Sequence, residues 1–512
     1  MSQMEFSKYD SEFCGNIPIH IINTVQEYGA LLVLDKVTLT IVQVSENAGD
    51  LLGVPFRELP GKSINGLIND EAYKSLLELA QQSDGNKLAA TWKLQERPCA
   101  VMVHVHGQQL LAEVEHSPDL VAEEATFTHL YQQIKTSIGL IEQAQDVAAL
   151  CHTAATEIKK LSGFDKVMIY TFDKDWNGNV LAEAMEPGME SYIGFTFPAS
   201  DIPKPARDMY LRNPYRFIPD REFKPVKLYP VINPLTHTFL DMSECNLRAV
   251  AAVHVEYLKN MHVMASMSVR LIKDNALWGL IACHHKTART IDPQLRSVLE
   301  LLSGVISGRI SVLHHQQFHD LSSRLNNIYT QLIEHLYKTA SLAAGLLNGT
   351  PNIMTLFDAS GVVITYKNKT YHAGEVPDAA QLEDLLLWLH VKQLRKVFDT
   401  DSLPAVYDIT EEFQEIASGL LAIPVQAEED TYILLFRKEF VKTTNWGGNP
   451  DERIFFDENP KIYHPRHSFK LWQEHVKGFS RPWLPEELIA AENLRSFIFE
   501  FLTRDTMGKN EL

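Results

Sequence analysis

One long helical pattern, from Asp292 to about Leu336, limits what this chain can fold into more than any other feature. Asp292-Pro293 sets a capping residue before a first-position proline, and Leu295, Val298, Leu302, Val305 and Val312 carry an apolar face onward. At ~1.5 Å per residue such a helix outruns one compact domain. It therefore joins two domains as a spine and offers a dimer seam. The 512 residues divide into about three domains of ~150 residues. His314, His315, His319 and His335 lie on the spine, but no carboxylate-rich or cysteine partner is spaced to close a metal site with them.

Composition excludes several classes of function. A net charge of -18 disfavours nucleic acid and anionic membrane surfaces as partners. No apolar run reaches the ~18 residues of a membrane span, and the polar, acidic MSQMEFSKYDSEF is no secretory signal. A cytoplasmic protein is expected. The five cysteines, Cys14, Cys99, Cys151, Cys245 and Cys283, are scattered and contain no CxxC pair. They predict neither a disulfide framework nor a zinc site.

Residues 1 to about 125 carry two runs read as alternating, Ala30 to Leu34 and Leu39 to Val44, which lead into a helix start at Ser45. Strand pairs with short helices suit a PAS-like sheet. Next, a long amphipathic helix is predicted from Phe127 to Leu161, followed by the strand DKVMIYTFD. In FPASDIPKPARDMYLRNPYR, Phe197 to Arg216, Pro198 and Pro203 bracket Asp201. Proline fixes its own φ and restricts its predecessor, so Asp201-Ile202-Pro203 is a stiff turn that presents its backbone. The helical spacing of ARDMYLR would project Tyr210 and Arg216 from a short helix beside that turn. Taken alone, the stretch is equally an ordinary proline-bounded loop with a solvated basic helix. Ile218 to Glu244 is irregular and longer than a compact domain tolerates without purpose. LRAVAAVHVEYLKN, Leu247 to Asn260, and a hairpin ending in LWGLIACHH complete this region.

FPASDIP, LRAVAAVHVEYLKN and LWGLIACHH together resemble the bilin-binding GAF domain of phytochromes, and the family is bacteriophytochrome. Farther on, DASGVVITYKNKTYHAGEVP, VFDTDSLPAVY, ASGLLAIPV and TYILLFRKE resemble the PHY domain. Trp446-Gly447-Gly448, Pro465-Arg466-His467-Ser468-Phe469 and Trp472-Gln473-Glu474 are the marks of the PHY tongue. The resemblance covers essentially all 512 residues. It implies an α+β fold of three domains with antiparallel sheets, joined by the helical spine. These are PAS at 1–125 with the chromophore-attachment segment, GAF at 126–310, and PHY at 311–512 with a tongue at about 440–482 and a C-terminal helix, Pro485 to Leu502. The N-terminal segment would thread through the loop Ile218 to Glu244.

The function implied is a red/far-red light receptor with biliverdin as cofactor. Val253 stands where plant and cyanobacterial members carry a GAF cysteine, so the resemblance gives the thioether to Cys14. Cys245, three residues before Arg248, is the rival, and on chemistry alone Cys14 is a spare thiol. A linear tetrapyrrole needs apolar walls, cationic clamps and backbone acceptors together. By resemblance Arg216 and Arg248 clamp the two propionates, and Tyr210, Ser266 and Ser268 add hydroxyls. Asp201, with Ile202 and Pro203, faces the protonated pyrroles, His254 the inner rings, and His284 the carbonyl of the outermost ring. Tyr170, Phe197, Tyr257 and Met261 wall the ring that turns. Arg466 would pair with Asp201 in the dark and Ser468 replace it afterwards. Ile454 to Phe456 and Tyr463 suit a strand, whereas Ser468 to Val476 has helical spacing at Phe469, Leu471, Trp472 and Val476. There are departures from the family pattern. Gln26-Glu27-Tyr28-Gly29 stands for Gln-Pro-His-Gly, Ala251-Ala252 for Ser-Pro, and His262 and Met264 for glycine and arginine.

The partners implied are a second copy, parallel or antiparallel through the GAF and spine helices, and a downstream signalling protein or output module. No metal, nucleic acid or membrane enters this reading. Two competitors stand beside it. A GAF/PAS sensor of a diffusible ligand such as a cyclic nucleotide would use Arg216 and Arg248 for phosphate. The sensory part of a longer histidine kinase is the other, because Phe318-His319-Asp320-Leu321 resembles a phosphoacceptor box, although no nucleotide motif follows it here. No enzyme activity is expected of this chain.

Overall fold

The computed structural model describes residues 18–95, 97–116, 124–339, 341–426, 431–450, 454–456, 463–465 and 468–510. They fall into two compact units, 1–313 with 445–472, and 314–444 with 473–512.

In the first unit one sheet runs in the order Thr24–Val25, Val226–Tyr229, Ile41–Ser45, Gly29–Asp35, Gln109–His116, Arg97–His106, Lys87–Leu94, and its neighbours are antiparallel. The strand Gly29–Asp35 is GALLVLD, apolar without alternation, because both of its faces are covered. Ala30, Leu32 and Leu34 enter one core with Trp92 and Val103. Leu31 and Val33 enter another with Leu228, Leu240 and Met242 from the segment that the sequence marks as irregular, and with Leu247 just after it. That segment contributes the strand Val226–Tyr229 to the sheet between Thr24–Val25 and Ile41–Ser45. Residues 20–26 then run between it and 242–249, held by Met242 N to His20 O at 2.9 Å, Gln26 N to Leu247 O at 2.7 Å and Ala249 N to Thr24 O at 2.9 Å. The buried Asn233 ties the loop down by donating to Gln43 Oε1 at 3.2 Å and accepting from Gln109 Nε2 at 3.0 Å. The threading expected of the fold is therefore built from backbone ladders.

The second sheet of this unit runs Tyr215–Ile218, Ala265–Lys273, Ala276–His285, Lys166–Phe172, Gly178–Met185, Thr196–Phe197, then Lys442–Gly447, whose Trp446 pairs in parallel with Thr196, and last Leu471–Val476. Its back is covered by helices. Where one helix from Phe127 to Leu161 is expected, the chain forms two, Glu124–Glu142 and Val147–Ser162. The break is made by Asp146, whose extended backbone ends continuity and whose carboxylate caps Ala149 N at 2.8 Å. Behind them Leu299, Leu302, Ile306, Ile310 and Leu313 of the spine are buried in the same core. The spine itself is one helix, Pro293–Thr339. Its length and composition alone would suffice to cross a bilayer, but this apolar face is spent inside the protein. Arg296 at its start is buried, ion-pairs with Glu115 and lies 5.1 Å from the Phe217 ring.

The second unit holds an antiparallel sheet in the order Lys369–Gly374, Gly361–Tyr366, Thr431–Arg437, Gly419–Gln426, Phe398–Thr400. The helix Pro485–Asn510 starts where expected and packs Ala491, Leu494 and Ile498 into its core. Arg437 is the polar anchor of this unit. It donates to Glu487 Oε1 at 2.6 Å, Phe357 O at 2.7 Å and Pro482 O at 2.8 Å, and lies 3.7 Å from the Trp483 ring centre. Both partners of the ion pair are buried. Arg437→Ala would strand the Glu487 carboxylate and should destabilise this unit by about 3–5 kcal/mol. Urea dependence of amide exchange over 419–437 in the full chain measures it, and a loss below about 1 kcal/mol would contradict the anchoring role.

Candidate ligand cavity

The second sheet of the first unit and the residues around Asp201 enclose a cavity whose volume, open to the centre of a water-sized sphere, is ≈ 240 Å³. A single water needs about 10–15 Å³ by that measure, so the space suits a ligand of a few tens of heavy atoms. Its floor is the turn that the prolines predict. Ala199–Asp201 is a single 3₁₀ turn, Asp201 N bonds Pro198 O at 3.0 Å, and Pro203 caps the helix Lys204–Arg212. Tyr210 stands on that helix, but Arg216 does not. The helix ends at Arg212 because Asn213 is extended and Pro214 follows, and Arg216 lies on the strand Tyr215–Ile218. The two residues still reach one cavity.

Every cavity residue expected from the sequence within the described chain lines this space: Tyr170, Phe197, Asp201, Ile202, Pro203, Tyr210, Arg216, Arg248, His254, Tyr257, Met261, Ser266, Ser268 and His284. Cys14 lies outside the described residues. Cys245 does not line the cavity, correcting the idea that nearness to Arg248 in sequence brings it there; it is buried with Val25, Leu31 and Leu247. Sequence reasoning missed Ile19, Ile22, Met168, Val180, Met209, Leu280 and Ala282. Leu280 and Ala282 were within reach, since stepping back by twos from His284 along Ala276–His285 gives the same face.

Two guanidiniums dominate the electrostatics. Arg216 Nη1 donates to Asn246 O at 2.8 Å and its Nη2 to Arg248 O. Arg248 Nη1 donates to Ile19 O at 2.6 Å and meets Met209 Sδ at 3.1 Å, while its Nε is buried without a hydrogen bond. Among the described residues neither forms an ion pair. Burial, then Arg216, pulls Arg248 down to about 9, and burial lowers Arg216 too. Ser268 sits opposite Arg216 in register, and Ser200 Oγ is another buried group without a partner. An anionic ligand answers all of these deficits.

The opposite end is aromatic and neutral. Burial and then Arg216 lower His254 to about 4, and burial, then Lys166, lowers His284 to about 3, so both imidazoles are uncharged at neutral pH. Lys166 is the register partner of His284 on the neighbouring strand. Tyr257, one turn from His254 on the helix Ala252–Asn260, donates to Asp201 Oδ2 at 2.9 Å. Phe469 is buried with its ring 5.2 Å from that of Tyr257, edge to face. Gly447 lies against Phe197, where an added Cβ would come within 2.9 Å of the ring.

The remaining tongue residues are placed as follows. Gly448 has φ 108°, a backbone that favours glycine. Ile454–Phe456 pairs with Tyr463–Pro465, as the sequence predicts. Ser468 is exposed, and Arg466 lies outside the described residues. Trp472 and Glu474 are on the strand Leu471–Val476, not on the helix that the spacing over Ser468 to Val476 predicts. Short tongue segments obey their pairing partners over their own periodicity.

Comparison with known proteins agrees with this architecture. Family models match in three stretches: a PAS fold at 14–117, a GAF domain at 146–311 and the phytochrome region PHY at 325–507. The chain is 35% identical over 493 residues to cyanobacterial phytochrome B of Nostoc sp. strain PCC 7120, covering 96% of this chain and 66% of that protein. It is 34% identical over 508 residues to a bacteriophytochrome of Xanthomonas campestris pv. campestris, covering 96% and 78%. It spans about two thirds of the length of the cyanobacterial relatives, 64–66%. Among solved structures it is similar to a bacteriophytochrome from the photosynthetic bacterium R. palustris, with a TM-score of 0.84, 32% identity and coverage of 96% and 99%. It is likewise similar to the Stigmatella aurantiaca phytochrome photosensory core module, with a TM-score of 0.83, 33% identity and coverage of 96% and 98%. On these matches the chain belongs to the phytochrome family and is built as its PAS, GAF and PHY photosensory core.

Proposed function

We propose that this chain is a red/far-red light receptor that holds biliverdin in the GAF cavity through a thioether to Cys14. The observation that carries the reading is the pair of guanidiniums lining the cavity, Arg248 buried and Arg216 partly buried, with no ion pair among the described residues. Two carboxylates on a flat, apolar ligand supply what Arg216 and Arg248 lack, in forked hydrogen bonds that lysine would make less well. Tyr210, Ser266 and Ser268 add hydroxyls at the same end. When bound, the pigment supplies a light-driven double-bond isomerisation between its last two rings. The residues of the chain do the rest. Asp201 accepts from protonated pyrroles through its main-chain carbonyl and carries a carboxylate beside them, with Ile202 and Pro203 fixing the turn. Neutral His254 holds a proton near the inner rings, and neutral His284 donates to the outer carbonyl. Tyr170, Phe197, Tyr257 and Met261 exclude water around the ring that turns.

The signal passes from Asp201 into the tongue. Arg466 pairs with Asp201 in the dark, and Ser468 takes its place after illumination, while the segment exchanges strand for helix. Shortening from ~3.3 to ~1.5 Å per residue pulls on the PHY domain and the spine, and so on an output partner or module. A second copy docks along the spine and the helix Glu124–Glu142, where Leu301 and Val312, and Tyr131 and Leu140, are exposed. The receptor works in the cytoplasm. The test is the visible to near-infrared spectrum after incubation with biliverdin. A red-absorbing band that red light converts to a far-red one, and far-red light restores, is expected; a spectrum unchanged from free biliverdin would overturn the proposal.

A further inference from the structure

We infer that the turn between the strands Lys166–Phe172 and Gly178–Met185 is a clamp that aims Asp201, with Trp176 and Arg207 as positioning residues for the photoreaction. The inference rests on the proposed function, but its geometry stands apart from any pigment. Neither residue lines the cavity.

The turn is rigid by construction. Asp173 Oδ1 accepts from Asp175 N at 2.9 Å and Asn177 N at 2.8 Å, and Asp173 N bonds Asn177 O at 2.9 Å. Trp176 is held at φ 64°, a region that bulky residues rarely adopt. That conformation sets the indole, 40% exposed, 4.6 Å from the Arg207 guanidinium. Arg207 in turn donates Nη1 to Ile202 O at 2.8 Å and more weakly to Ala199 O at 3.5 Å, the carbonyls on either side of Asp201. A second tie comes from the neighbouring residue, since Asn177 Oδ1 accepts from Ala199 N at 3.2 Å. A third is the pairing of Gly178 and Asn179 with Phe197 and Thr196, which fixes the chain entering the turn. Asp201 is thus gripped from the amide before it, the carbonyls flanking it and the strand leading to it. Asp201 itself lines the cavity, and its Oδ2 accepts from Tyr257.

Trp176, at an unfavourable φ and only partly covered, packs on the Phe172 ring at 5.6 Å and meets Arg207 at 4.6 Å. Its use is to hold Arg207 flat. A guanidinium held against an aromatic face is restrained there, and its Nη1 meets the Ile202 carbonyl at 2.8 Å. Arg207 is also half-buried, and burial lowers its pKa.

Amide hydrogen exchange in the pigment-free full chain reads the clamp directly. Trp176→Ala and Arg207→Met should each speed exchange over 197–204 roughly fivefold, the order of one cation–π contact or one charge-assisted hydrogen bond. Trp176→Tyr, which keeps a ring face, should restore the parent rate. After loading with biliverdin, the same two variants should take up pigment fully and lose at least about half of the photoproduct, again with rescue by Trp176→Tyr. Unchanged exchange in both variants overturns the clamp. Faster exchange with an undiminished photoproduct overturns its part in the photoreaction. If the unsubstituted protein takes up no biliverdin, the proposed function fails instead, and the exchange rates still decide whether the clamp exists.

Discussion

Cys14→Ala should abolish covalent pigment, read as loss of the zinc-dependent fluorescent band on a denaturing gel, while Cys245→Ala should keep it at parental intensity. The expectation follows from which thiol can become a thiolate beside the cavity. Cys245 is buried in an apolar cluster, and burial, then Glu113, raises its pKa well above the ordinary value. Cys283 and Cys151 are pushed up to about 12 by burial, and Cys99 is raised as well. None of these four lines the cavity. Cys14 is five residues ahead of Ile19, which lines the cavity and whose carbonyl accepts from Arg248. Five residues of extended chain reach at most ~17 Å, a length that would let a thiol five positions ahead of Ile19 attach to a ligand in the cavity. A band that survives in Cys14→Ala and vanishes in Cys245→Ala would reverse the assignment.

How much of this was legible in the sequence depended on whether the signal was local. Asp201-Ile202-Pro203 is stiff because two prolines make it so, and the turn is found where the prolines put it. The spine begins at Pro293 because cap and proline agree. The residues around the cavity were legible as parts of three motifs, whereas Met209, Ile19 and Val180 carry no mark of their own and are brought in by tertiary structure. Non-local decisions were hidden. The strand Val226–Tyr229 exists because it fills a slot in another domain's sheet, and nothing within VKLY says so. Cys245 is near Arg248 in sequence but turned to the other side by the chain at 242–249. The break at Asp146 was missed because the apolar period survives it, and the strand Leu471–Val476 because helical spacing is a weak argument in a six-residue segment.

Asp201→Ala should leave pigment attached and the dark band in place, yet cut the far-red product at least about tenfold, since it removes a charge-assisted acceptor and not merely one neutral hydrogen bond. Asp201 is where the cavity meets the tongue. Its Oδ2 accepts from Tyr257 at 2.9 Å, the Tyr257 ring carries the edge of Phe469, and Phe469 belongs to the tongue motif that contains Ser468. A change at the carboxylate is therefore felt by Tyr257 and Phe469 together. Tyr257→Phe separates these two links, because it loses the hydroxyl while keeping the ring against Phe469; it should reduce the photoproduct about fivefold, the worth of one hydrogen bond. Light-minus-dark spectra measure the product, and infrared difference bands in the amide region measure the backbone response. In Asp201→Ala the amide bands should vanish with the product. Arg466→Ala and Ser468→Ala should retain ring rotation, seen as an early red-shifted signal, and lose the amide bands, if they are the two alternating partners proposed for the carboxylate. Undiminished far-red product in Asp201→Ala would remove Asp201 from the photoreaction, and amide bands unchanged in all three variants would mean that the tongue is driven by some other contact.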